Sequence, residues 1–457
     1  MKTAVPRTIF VFVILSLVLA ACAPATAPAP AGEAGAAAPI KLTHWIGVGT
    51  GGSQQAECVI ANVIEPYNEM TEGVTVETVL QSNVWEAMRT AVAGGGGPDI
   101  VTTPGPSFVY EMAKSGQLLP LSDYADQLGW ADTFAPWALS LGLVDGELYS
   151  VPHELETLIL YYNKTVFEEN GWPPPATFDE MVALSEQIAD AGIIPFAHTN
   201  GEWRAANEWF VGEFLNHVAG PDNVYLALIG QKPWTDPEFV EAIDHLTDMQ
   251  LKGWFMGGLD RYYTGTDDER RVMLGDGVAA MTIEGTWALD NMSNYFGEAA
   301  GNANEWDIIP VPSVTGEDIY DLGIGSTYSI NAASPNPDAA ADFLTYYFSP
   351  ESQATLLVEC GVAPAPVTLT EEQLTGLDPR FAKAFAGLTQ ASDEGNYGYT
   401  TWTFWPPKSD VYIYEEIEKV WAGQITSEQY LQGLQDLFQQ ELEAGDIPPI
   451  PEREVSS

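Results

Sequence analysis

The stretch Ile40-Lys41-Leu42-Thr43-His44-Trp45-Ile46-Gly47-Val48-Gly49-Thr50-Gly51-Gly52 decides the fold. Ile40, Leu42, His44 and Ile46 alternate with Lys41, Thr43 and Trp45, the period-two pattern of a strand, and the run empties into a glycine-rich loop. Working outward, a helix is expected over about 53–70, a second strand over 74–80, a helix over 85–92 and a third strand over 99–102. Strand and helix alternating at this spacing predict a parallel α/β sheet. Ligands of such sheets sit at the carboxyl ends of the strands, here the loops 47–53 and 102–107.

Further along, helix starts are punctuated by a capping residue and a proline whose missing N–H would have no partner there anyway. Asp236-Pro237, Asn336-Pro337 and Ser349-Pro350 all have this form. Thr177-Phe178-Asp179-Glu180 and Thr426-Ser427-Glu428-Gln429 read as capping boxes. Short strands are expected between the helices, at 150–152, 157–162, 279–283, 307–311 and 327–331.

Upstream, Lys2 and Arg7 precede an apolar run that ends in Leu19-Ala20-Ala21-Cys22, the pattern of a cleaved export signal too short to be kept as a membrane span. Residues 1–21 are therefore expected to be a signal peptide. The triplet before Cys22 resembles the site at which bacterial lipoproteins are diacylated and cut, which implies a palmitate-type lipid anchor on Cys22. Residues 22–39 then form a lipidated cysteine and a flexible Ala/Pro linker with a reach of about 50 Å if extended.

Loss of Lys2 and Arg7 takes the formal net charge from −47 to −49. Such a polyanion repels nucleic acid and anionic headgroups, so neither is an expected partner, and membrane contact is left to the lipid. With 46% apolar residues and 14 Trp, the charge belongs to the surface of a well-cored globule of two or more domains. Adaptation to high salt and lineage bias both account for it. After Cys22, only Cys58 and Cys360 remain; in an exported chain they are either a disulfide or two separate buried thiols.

Several segments, in order, carry a family resemblance. They are Gly97-Pro98-Asp99-Ile100, Ser115-Gly116-Gln117-Leu118-Leu119, Val151-Pro152 leading into Tyr161-Tyr162-Asn163-Lys164, Ala280-Met281-Thr282-Ile283-Glu284-Gly285-Thr286-Trp287, and Ile330-Asn331-Ala332-Ala333-Ser334-Pro335-Asn336. Together they resemble the family 1 extracellular solute-binding proteins of bacterial ABC importers. The resemblance implies a type II fold of two α/β lobes joined by three crossings, near 153–158, 305–311 and 331–337, with the ligand cleft between them. Lobe 1 is then 40–154 plus 311–333, and lobe 2 is 155–310 plus 334–457. It also implies a non-catalytic, monomeric, cofactor-free protein on the extracytoplasmic face of the cell membrane. Such a protein captures a solute, a sugar by this resemblance, by hinge closure and delivers it to permease subunits.

A sugar offers apolar C–H faces ringed by hydroxyls, so its cleft needs flat aromatics and neutral or acidic acceptors. Trp287 matches a stacking tryptophan of the family, Glu202 and Trp203 an acid and aromatic pair, and Glu156 an acid that accepts sugar hydroxyls. Glu284 lies beside Trp287. From the first lobe come Trp45, Gly49, Thr50, Thr103 and Ser107, and from later loops Tyr328, Trp402 and Trp405. The maltose-binding members carry charged side chains on both first-lobe loops, whereas this chain has glycine, threonine, proline and serine, so the resemblance does not extend to maltose as ligand. Each aromatic also has a plain reading as core.

Two rivals remain at this level. Glu156, Glu202 and Glu284 around an aromatic would also suit a polyamine, metal complex or peptide. A secreted carbohydrate-active enzyme would need two carboxylates about 5–10 Å apart, a condition that 64 acids make uninformative. The five histidines show no metal-ligand spacing, and no metal or catalytic residue is expected.

Overall fold

The computed structural model describes residues 39–47, 52–370 and 372–455. The expectations placed on Cys22, the linker, Gly49 and Thr50 lie outside these residues. Two sheets organise the chain. In the first, strands Ile40–Gly47, Val74–Gln81 and Ile100–Thr103 are parallel neighbours, as the βα spacing demands. Strand Tyr320–Ile330 then runs antiparallel to Ile100–Thr103 and to Val151–Glu156, and pairs in parallel with Tyr397–Tyr399, so this sheet is mixed rather than purely parallel. The second sheet has the order Trp306–Ile309, Leu158–Asn163, Ala279–Gly285, Ile194–Phe196.

Local chemistry explains the details. The first helix, 52–70, is interrupted by a π-turn at Ile60–Ile64, because Pro66 has no N–H and its ring clashes with the carbonyl four residues earlier. Thr177 and Thr426 accept from the backbone N–H three residues on, and Thr426 with Gln429 completes a reciprocal capping box. Strand Tyr320–Ile330 starts well before its expected position because Gly323 and Gly325 mask its pattern. Those glycines seat side chains: a Cβ on Gly325 would stand 1.9 Å from Glu156 Oε2, and one on Gly323 would stand 2.8 Å from Thr400 Oγ1.

Two large cores form, and strand Tyr320–Ile330 is shared between them, with Tyr320, Leu322 and Ile324 in the second and Tyr328 and Ile330 in the first. Leu42, Val63, Val76, Ile100 and Ile330 pack together on the first; Ile159, Tyr161, Phe196, Met281 and Ile283 centre the second. Thr157 alone separates Val151–Glu156 in one sheet from Leu158–Asn163 in the other. Helices Pro337–Tyr347 and Pro350–Cys360, expected in the second lobe, pack instead on the first-sheet core. Phe343 lies 5.1 Å from Tyr67 between ring centroids. A Cys58–Cys360 disulfide, with Cα atoms 5.6 Å apart, fastens the second of these helices to the first helix of the chain. Leu357 of helix Pro350–Cys360 already reaches the second core, and beyond Ala365 helix Pro379–Glu394 contributes Phe381, Ala384 and Leu388 to it.

Candidate ligand-binding site

Three tryptophans meet where the two halves touch. Strand Ala279–Gly285 ends in a 3-10 turn, Thr286–Ala288, that folds the half-buried Trp287 ring back over Gly285, where any Cβ would lie 2.0 Å from the ring. Its centroid is 5.1 Å from that of Trp209, on helix Asn207–Phe214, and 6.0 Å from that of Trp402, on the turn Thr401–Phe404. Trp402 is 5% exposed and faces the first lobe, its carbonyl pressed against Gly105 at the start of helix Pro106–Lys114. Rings at these separations pack directly on one another, so the faces left for a flat, C–H-lined molecule are the outer parts of the half-buried Trp209 and Trp287.

Glu156 ends its strand and is 5% exposed, with its carboxyl over Gly325. Burial first, and then the neighbouring Glu154, push its pKa well above the usual carboxylate range. A carboxyl so held favours the neutral form, which both donates and accepts. Glu202 and Trp203 lie on an exposed loop, Trp203 at 37% exposure; Glu202 accepts the Asp267 N–H at 2.8 Å and so caps the helix Asp267–Gly275. Trp45 is half-buried against the cluster of Val84 and Met88.

Other expected site residues have different work. Glu284 is fully buried, with its oxygens held by Arg270 at 2.5 and 2.6 Å and by Arg271. Burial alone would raise its pKa, yet the two guanidinium groups hold it at about 2, and a carboxylate with no exposed surface and three guanidinium donors on it does not face a solute. Trp405, at 1% exposure, packs at a tilt 4.5 Å from Trp234 in the second core rather than forming a platform. Tyr328 packs among His44, His153, Tyr347 and Phe348, and its hydroxyl donates to Tyr347. The adjacent glycines admit Glu156 and Thr400, not a ligand. Thr103 bonds to Thr327 at 2.6 Å and to the Gly105 carbonyl at 2.8 Å; Ser107 points its hydroxyl at the carbonyls of Trp402 and Trp405, at 3.1 and 2.7 Å. Both hydroxyls are spent inside the protein.

Trp209 was not anticipated. Phe210, Val211 and Phe214 of the same helix face the core, and Trp209 beside them reads as one more apolar residue. The signal available was the pair Trp203 and Trp209, two large aromatics bracketing a helix start.

The chain is 26% identical over 266 residues to an uncharacterized ABC transporter extracellular-binding protein of Pyrococcus horikoshii, covering 54% of each chain, so it spans about half that relative's length. It is 24% identical over 378 residues to the osmoprotective compounds-binding protein GgtB of Synechocystis, covering 78% of this chain and 85% of GgtB. In structure it is similar to a chitin oligosaccharide binding protein, with a TM-score of 0.73 at 21% identity over 89% of this chain and 100% of the other, which shows the two-lobed fold. Residues 62–408 match the model of the bacterial extracellular solute-binding proteins, a family that binds solutes and does not transform them, and the chain belongs to that family.

Proposed function

We propose that the chain captures a neutral sugar or oligosaccharide between its lobes and hands it to the permease of an ABC importer. The supporting observations are the cluster of Trp209, Trp287 and Trp402, with rings for sugar faces, and the neutral-leaning acid Glu156 at the end of its strand, one residue before Thr157, whose carbonyl accepts the Thr286 N–H at 3.0 Å. A solved relative of the same fold is a chitin oligosaccharide binding protein. The cationic-solute reading loses its acids: Glu284 is neutralised by two arginines, Glu202 caps a helix, and Glu156 is driven toward its uncharged form.

In this reading the first lobe is 40–156 plus 320–366 and the second is 158–309 plus 378–455. The hinge crossings are then Thr157, 310–319 and 367–377. Cys22 carries the lipid that holds a monomer beside its permease on the extracytoplasmic face. Among the described residues no helix is long and apolar enough to cross a membrane. Calorimetry with a panel of chito-, xylo- and malto-oligosaccharides and polyamines tests the ligand class. A saturable sugar isotherm with no turnover is expected. Polyamine binding without sugar binding would overturn it.

A further inference from the structure

A second cluster lies away from the tryptophans, inside the packing of helix Asn207–Phe214 on strand Tyr320–Ile330. Glu213 and His217 stand one helical turn apart, and Asp321 meets them from the strand. All three are at most 2% exposed. His217 Nε2 is 3.2 Å from Glu213 Oε2 and 3.5 Å from Asp321 Oδ1, and one donor atom from each residue falls within a 4.8 Å set. Both Glu213 oxygens and Asp321 Oδ1 are buried without a hydrogen-bond donor. Asp321 Oδ2 is oriented by the Asn216 amide at 3.1 Å, and Oδ1 is seated against Gly398, where a Cβ would lie 1.7 Å from it.

Two buried carboxylates facing a single imidazole are electrostatically incomplete. No lysine or arginine pairs with either among the described residues, and burying unpaired like charges together is costly. The spacing itself is informative. Donors about 2.0–2.1 Å from a tetrahedral zinc stand roughly 3.3 Å apart, which is the separation His217 keeps from its two acids.

We propose that Glu213, His217 and Asp321 form a buried structural site for a first-row transition dication, zinc foremost, that ties the strand entering the first sheet to the second-lobe helix. The imidazole selects against calcium and magnesium, which prefer all-oxygen cages. Asn216 is the outer-shell group that orients Asp321. The site is independent of the solute reading.

The test starts from purified protein with its disulfide oxidised, unfolded in guanidinium with EDTA and refolded with or without zinc chloride. It is then passed over a chelating resin, which strips cations held loosely by the acidic surface. About one zinc per chain by mass spectrometry, and a melting temperature several degrees above that of the EDTA-refolded protein, are expected. His217→Ala and the near-isosteric Asp321→Asn should retain none. X-ray absorption on the wild-type protein should show one imidazole with oxygen donors, a readout that needs no variant. Zinc-free wild-type protein, zinc retained equally by both variants, or a shell without imidazole would each overturn the site.

Discussion

The two sides of the candidate cleft solve the same problem with different chemistry. On the first-lobe side, Thr103 and Ser107 turn their hydroxyls inward, to Thr327 and to the carbonyls of Trp402 and Trp405. On the other side, Trp209 and Trp287 keep part of their rings open. The strand ends that carry ligands in many α/β sheets here hold the late segment 400–405 in place, and the aromatic contact area comes from the opposite lobe. The lobes are also braced differently. A disulfide clamps the first, whereas a buried ion cluster behind Trp287 clamps the second.

That contrast is easiest to break at Glu284. Glu284→Gln leaves Arg270 and Arg271 buried without their counter-charge and should cost about 3–5 kcal/mol of stability, read from the denaturation midpoint. Because Glu284 lies just before the turn that carries Trp287, ligand affinity should fall as well. A variant as stable as the parent would show that the cluster is no brace. Cys360→Ser is the matching cut on the first side. It opens a link between residues 302 apart in sequence, worth about 2–5 kcal/mol. Affinity should hold under conditions where the variant remains folded, since no ligand contact is proposed on those helices; a parallel loss of affinity would erase the distinction between the two braces.

The next effect is on binding alone. Trp287→Ala should weaken the sugar by about 1–3 kcal/mol, the range for one aromatic anchor, with little change in melting temperature because the ring is only half-buried. Trp209→Ala should act in the same direction. Calorimetry that finds both variants binding like the parent would move the ligand off the tryptophans.

How much of this was legible depended on range. The parallel strands of the first sheet follow from alternation and glycine loops within a few residues, and the capping box at Thr426 from four; at Thr177 only half of the expected box forms, since Glu180 accepts from the Ala176 N–H instead. Strand Tyr320–Ile330 was half hidden, since Gly323 and Gly325 look like a loop until Glu156 and Thr400 are seen resting on them. Helices Pro337–Tyr347 and Pro350–Cys360 were legible as helices, but the sheet they cover was not. A cap and a proline state where a helix begins; Phe343 against Tyr67, and Cys360 joined to Cys58, decide which sheet it covers. Glu284 and Tyr328 were mistaken for ligand contacts for the same reason, as Arg270 and Tyr347 claim them only in three dimensions.

The smallest expected effect lies at the crossing. Glu154 sits there with a left-handed φ of 57°, accepts from the Ser326 hydroxyl at 2.9 Å, and keeps 26% of its side chain exposed. Burial raises its pKa from 4.5 to about 7. A carboxyl with the higher value in the folded state binds more protons there than when unfolded. Its contribution to stability is therefore complete below about pH 4.5 and fades as the pH rises through about 7. Glu284 has the opposite sign, with stability lost only as the pH falls from 4.5 toward 2, so the two windows do not overlap. Subtracting the melting temperatures of Glu154→Gln from those of the parent between pH 4.5 and 7.5 isolates the crossing. The difference should decline with pH, modestly, because the partial exposure lets solvent screen the charge. A flat or rising difference would mean that Glu154 ionises freely in the folded protein, and that the crossing carries no proton-linked bias.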